Sequence, residues 1–444
     1  MQLLQVKASE AIEDLYNRIT GDEDARVCKD IPKEACKDQP RNFFAYLWAN
    51  LLGKVADEIA SAKLVIPWLF GSLGVPASFT GFLVPIREAG VLLPQLLVAA
   101  YIRNMPTRKP VWLLGSVLSA LSLAGMGIAA MTLEGSAAGS IFILMLIIFS
   151  LSRGLCSVSA KDVLGKTVSK SRRGALMGWS ASLSGVAILG IGIWLGYTNL
   201  DNAGTLIFAG LLFTGTLLWL IATMVFALIK EQPGATEGGG NAVTVALQQM
   251  SLLKTDHQFR QFVIARALLL SIALSPPFYV LVAQASSGVS LAGLGALIIA
   301  NGLASSISAP FWGYLGDRSS KQVMMIATVG SSLLGFFTVI AVMFEFQWIT
   351  SEMGFAVIFL VLNVLHGGAR LGRKVYLVDM ASGDNRAAYV AVSNTVIGIL
   401  MLAGGLVGIV GDIFGPASVI LLLAIVSLLS AAFIKKLPDV SDAG

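Results

Sequence analysis

The chain has 444 residues, of which 56% are hydrophobic and only 13% charged, and its mean hydropathy is +0.78. A soluble globular chain carries about 25% charged residues, so the composition excludes a string of water-soluble domains and points to a polytopic membrane protein. The net charge of +5 is spread over particular loops and forms no nucleic-acid patch, while three cysteines and two histidines are too few for a disulfide framework or a metal cluster; no metal or cofactor is expected.

Residues 1–42 hold seven Lys/Arg and nine Asp/Glu and no apolar signal core. Leu3, Leu4, Val6, Ala8, Ala11, Ile12, Leu15 and Ile19 recur at roughly helical spacing and predict a surface-lying amphipathic helix. The tail is expected in the cytoplasm, where Cys28 and Cys36 of "CKDIPKEAC" are free thiols; a metal pair or a redox switch is the alternative.

Apolar spans follow at 43–70, 78–101, 110–132, 139–164, 173–197 and 204–229, and again at 259–285, 291–314, 323–345, 353–378, 387–411 and 416–434. Each reaches the ~17–25 residues that cross a bilayer. The Gly-, Pro- and Thr-bearing stretch 230–258 separates them as a linker. The expected organisation is therefore a tail at 1–42, a six-helix bundle at 43–229, the linker, a second six-helix bundle at 259–434, and a tail at 435–444.

Charge sets the orientation. The loops at 71–77, 133–138, 198–203, 286–290, 346–352 and 412–415 contain no Lys or Arg, whereas the opposite loops and the tails contain 25 of the 31. The positive-inside rule then places both termini and the linker in the cytoplasm of a cell (plasma or inner) membrane. A shift of about 212 residues lays Lys54 on Arg266 and Lys109 on Lys321, and Pro67 falls near Pro276 and Pro277. Two homologous halves built this way bind solute near the midplane and rock about it.

"GYLGDRSSKQ" (313–322) follows the eighth span. Gly313, Leu315, Asp317, Arg318 and Lys321 resemble the loop motif of the major facilitator superfamily, roughly G-x-L-x-D-R-x-G-R-K. The first-half counterpart, "YIRNMPTRKP" (101–110), keeps Arg103, Arg108 and Lys109 but lacks the acid. The resemblance implies an all-α fold of twelve transmembrane helices in two pseudo-symmetric bundles and secondary transport of a small molecule; the sequence itself offers no nucleophile–base set and no metal cluster, so an enzyme is not expected. The resemblance also implies a cavity lined by spans 1, 4, 7 and 10, and a gate at Asp317, Arg318 and Lys321. It names no subfamily.

Six bases lie inside spans: Lys54, Lys63, Arg87, Arg153, Arg266 and Arg370, with the acids Asp57, Glu58 and Glu88. Charges at this depth are costly and face a bundle interior. Lys54 is three residues before Asp57 and four before Glu58, so the three can share a helical face, and Arg87–Glu88 falls at similar depth on span 2. The network Lys54, Asp57, Glu58, Arg87 and Glu88 is read as a proton-coupling group, with static helix pairing as the alternative. Arg153, Arg266 and Arg370 would suit a carboxylate or phosphate, with pairing to backbone carbonyls or to the acids of span 1 as the alternative, and His366 joins them as a candidate. Pro67, Pro276 and Pro277 are candidate bends at an outer gate. The expected function is proton-coupled symport of a small anionic organic solute by a monomer in the lipid bilayer. An exporter or lipid flippase of the same fold, or a non-transporting sensor or scaffold, is the alternative.

Overall fold

The computed structural model describes residues 12, 13, 16, 31, 33–102, 105–197, 204–234, 249–288, 290–381 and 386–440. Its long helices are α1 (Gln39–Ile59), α2 (Val65–Ser72), α3 (Ala77–Ile102), α4 (Lys109–Thr132), α5 (Gly135–Thr167), α6 (Lys170–Tyr197), α7 (Leu206–Ala227), α8 (His257–Leu268), α9 (Leu270–Leu274), α10 (Pro276–Ser287), α11 (Leu291–Gly316), α12 (Ser320–Met343), α13 (Glu352–Met380), α14 (Arg386–Gly404), α15 (Val407–Phe414) and α16 (Pro416–Lys435). Among the described residues ten helical stretches are long and apolar enough to cross a membrane, so the chain is a multi-pass membrane protein. The pair α1–α2 and the helix α3 occupy the positions of the first two expected spans.

Three spans are broken, and proline explains two of the breaks. Span 1, expected to run unbroken over 43–70, stops at Ile59 and restarts at Val65. Pro67 has no N–H, and its ring excludes a helical carbonyl four residues earlier. It is accommodated as the third residue of α2, where that N–H would be unpaired anyway. Pro276 and Pro277 likewise take the first two positions of α10. All three prolines therefore start helices, where the sequence had suggested bends within one. Span 11 breaks at Gly405–Leu406.

The packing pattern repeats. The first span (α1) lies on the fifth (α6) and sixth (α7), the second (α3) on the fourth (α5), and the third (α4) on the fourth and sixth. In the second half the seventh (α8, α9, α10) lies on the eleventh (α14) and twelfth (α16), the eighth (α11) on the tenth (α13), and the ninth (α12) on the tenth and twelfth. Adding six to every number maps one list onto the other. The two most extensive contacts between halves, α6 with α11 and α3 with α14 and α15, are exchanged by the same operation, and α2 also packs on α10. Small residues let these helices close. Ser116, Ser119 and Ser122 are buried along α4, and the Thr223 hydroxyl donates to Ser116 Oγ at 2.8 Å. Leu121, Leu217, Met224, Leu333 and Leu428 stand exposed on α4, α7, α12 and α16, the outward helices, where lipid tails would cover them.

The end bearing the base-poor loops is sealed. Gln284, 5% exposed on α10, donates from Nε2 to Trp68 O (3.0 Å) and Ser72 Oγ (3.1 Å) at the end of α2. Gly71 faces this amide so closely that a Cβ there would collide with it. The Asp412 carboxylate of α15 accepts from Ser78 N at 3.2 Å, capping the first turn of α3 from the other half. At the basic end, Glu231 accepts from Arg108 N (2.9 Å), Lys109 N (2.7 Å) and Lys166 Nζ (3.0 Å), while Arg108 pairs with Asp162 at 2.6 Å. The acid missing from the first-half loop is thus supplied by the chain just after α7.

Most of the expected N-terminal amphipathic helix lies outside the described residues. Tyr16 is buried on Phe43 (5.3 Å) and accepts from Gln39 Nε2 at 2.6 Å. Cys36, expected as a free thiol, is disulfide-bonded: redox compartment alone set that expectation, and it ignores local geometry. Cys28 and Arg103 lie outside the described residues.

Candidate functional site

A cavity of about 900 Å³ opens between the halves. One wall is the end of α1 and the broken stretch after it, with Asp57, Glu58, Ser61 and Lys63, joined by Arg87 and Glu88 of α3. The facing wall is α11 with Asn301, Ser305 and Ser308, and α13 with Asn363, His366, Arg370 and Lys374. Its lining runs from Leu64 and Phe359 down to Lys374 and Val375, toward the basic end. Non-helical backbone at membrane depth survives where it borders such a space, which is where Ser61–Leu64 lies. Spans 1, 2, 8 and 10 form these walls, in place of the expected 1, 4, 7 and 10.

Asp57 is the hub. Its Oδ2 receives Arg153 Nη2 at 3.0 Å, Arg153 Nε at 3.1 Å and Arg87 Nη2 at 3.3 Å. Each of these side chains is about one-fifth exposed (19–21%). The other oxygen, Oδ1, is buried without a hydrogen-bond partner. Arg153 also lies over Trp219 (4.4 Å to the ring centre) and Arg87 over Phe149 (5.1 Å). Glu88 pairs with Lys63 at 3.7 Å. The Glu58 carboxylate lines the cavity and makes no ion pair or hydrogen bond among the described residues.

Several expected residues sit elsewhere. Lys54 is half-buried, off the cavity, and makes no ion pair among the described residues. Arginines from α3 and α5 reach Asp57 in its place. Arg153 does not line the cavity, because Asp57 and Trp219 hold it behind the wall. Arg266, 9% exposed, turns to α14, donating from Nη1 to Ser393 Oγ (2.6 Å) and from Nη2 to Asn394 Oδ1 (2.8 Å). Only Arg370 and His366 of the proposed solute-binding set face the space.

Asp317 and Arg318 are exposed. Arg318 lies over Tyr314 (4.7 Å) and donates to its hydroxyl at 2.6 Å, and Asp317 and Lys321 have no ion pair among the described residues. These motif residues are disengaged at the end toward which the cavity opens. Pro67, Pro276 and Pro277 are buried at the sealed end. Sequence reasoning missed Arg373 and Lys374, which it counted as loop bases; α13 continues through them to Met380, three and four residues beyond Arg370.

No curated protein matches the chain by sequence. The family model "Major Facilitator Superfamily" matches residues 262–443. Among solved structures, the nucleoside transporter NupG superimposes with a TM-score of 0.66 at 15% identity, covering 89% of this chain and 99% of its own. The inward-open xylose transporter XylE from E. coli gives 0.63 at 13% identity, covering 90% and 97%. A D-xylose-proton symporter gives 0.62 at 14%, covering 91% and 98%. The C-terminal half thus matches the Major Facilitator Superfamily sequence model, and the whole chain shares the fold of these solved transporters.

Proposed function

We propose that the chain is a secondary active transporter that moves a small anionic organic solute together with protons, and that this structure is its inward-facing state. The observation carrying this reading is the balance of charge around the cavity: Lys63, Arg87, Arg370 and Lys374 line it against Asp57, Glu58 and Glu88. An excess of bases in a space walled by low-dielectric protein favours an anion. A carboxylate without a partner at that depth, Glu58, has its proton affinity set by whichever charges share the space, so it can take a proton as solute arrives and release it as the cavity changes sides. Asp57, held by two guanidiniums, orients the wall and senses Arg87. Lys54, Arg153 and Arg266 are assigned to support. The intact seal at Gln284 and Asp412 and the disengaged Asp317–Arg318 pair support the assignment of state. The positive-inside rule supports placing the open end in the cytoplasm.

Uptake of labelled dicarboxylates and phosphate esters into proteoliposomes under an imposed inward pH gradient tests this. Wild type should accumulate solute; Glu58→Gln should bind it without pH-driven accumulation. Equal accumulation by Glu58→Gln, Asp57→Asn and wild type would remove the coupling assignment.

A further inference from the structure

We infer that the transported anion is divalent, a dicarboxylate or phosphate monoester, and that its doubly charged end docks on Arg370 and Lys374 with Arg373 behind them. The inference rests on the anionic reading above and deepens it.

Pairing within the cavity exhausts the N-terminal half's bases and leaves those of the C-terminal half free. Asp57 is taken by Arg87 and Arg153, and Glu88 by Lys63. Arg370, Arg373 and Lys374 make no ion pair among the described residues. They stand at i, i+3 and i+4 on α13, so their charges share one face and repel, an arrangement that destabilises a helix unless a counter-charge joins it. Glu88, the acid of α3 that lines the cavity, is already paired with Lys63. The Nε of Arg373 is buried with no hydrogen-bond partner, an open donor of a kind rarely left unfilled. His366 and Asn363 line the same cavity on α13; Asn363 Nδ2 donates one hydrogen to Phe359 O at 2.8 Å and keeps a second. One negative charge would leave most of this cluster uncompensated. A planar guanidinium beside an ammonium matches a carboxylate pair or a phosphate, which spread two charges over several oxygens.

The test compares ligands of one size and different charge on the purified full-length protein in lipid nanodiscs. Succinate is set against monomethyl and dimethyl succinate, and methyl phosphate against dimethyl phosphate, with binding measured by titration calorimetry at pH 7.5. Each dianion should bind at least tenfold tighter than its monoanionic ester, and Arg370→Gln or Lys374→Gln should bring that ratio near one. A ratio near one in wild type, with monoanions still binding better than the neutral diester, overturns divalence and leaves the anionic reading standing. Equal binding of neutral and charged forms, or none by any of them, overturns the anionic reading itself. Preference for only one of the two dianion series assigns the headgroup. The wild-type comparison needs no variant, so it stands if a substitution fails to fold.

Discussion

Arg153 and Asp57 lie 96 residues apart and meet behind the cavity wall, and their coupling energy can be measured. Asp57→Asn leaves Arg87 and Arg153 side by side without their shared carboxylate. Removing one member of a buried pair costs about 3–5 kcal/mol; with about one-fifth of each side chain still exposed, the lower end, about 3 kcal/mol, applies. Arg153→Leu costs less, about 2 kcal/mol, because Arg87 still satisfies Asp57 and what is lost is charged hydrogen bonding and the contact with Trp219. Once Asp57 is neutral, deleting Arg153 removes a repulsive charge, so the double variant should sit near the Asp57→Asn value. Unfolding in mixed detergent micelles, followed by circular dichroism, should therefore give a coupling of about 2 kcal/mol in the double-mutant cycle. Simple additivity, within about 0.5 kcal/mol, would refute a direct interaction of the two side chains.

Three further outcomes are expected. Gln284→Ala removes two bonds between the halves at the sealed end, each worth about 1 kcal/mol net; a cysteine placed at Ser61 should then react roughly 30-fold faster with an impermeant thiol reagent from the base-poor side, and an unchanged rate would mean that Gln284 is not part of the seal. Glu231→Gln removes the charge that caps α4 and binds Lys166, so thermal unfolding should lose about 2 kcal/mol of stability; an unaltered melt would make the contact incidental. Gly71→Leu forces a side chain into the Gln284 amide and should abolish the sealed state, as seen by the same labelling; unchanged labelling would show that α2 and α10 tolerate separation.

Hydropathy made the spans legible because each must bury a bilayer-length run of apolar side chains, and ten of the expected twelve meet that length and composition among the described residues. Pro67 marked the first span as irregular, but not that the irregularity would be a break over 60–64: a proline forbids a bond and does not say how the backbone reroutes. The charged residues were visible as a set, and their pairing was not. Spacing rules reach only three or four residues along a helix, so they joined Lys54 to Asp57, while the partners of Asp57 came from α3 and α5. Arg373 and Lys374 were hidden by the same count that oriented the chain, since a base in the last turns of a helix reads equally as loop charge. Glu231 gave no signal because two of its partners are backbone N–H groups and the third, Lys166, lies 65 residues away. Arg266 matched Lys54 in the repeat, and both face away from the cavity.

The account's central claim is that this cavity faces each side of the membrane in turn. With the three native cysteines replaced, Ser305→Cys in proteoliposomes of known orientation can be challenged from either face with an impermeant thiol reagent. The account predicts rapid reaction from the basic face at rest, and reaction from both faces once a pH gradient and a transported anion drive turnover. Reaction from one face only under every condition would contradict it.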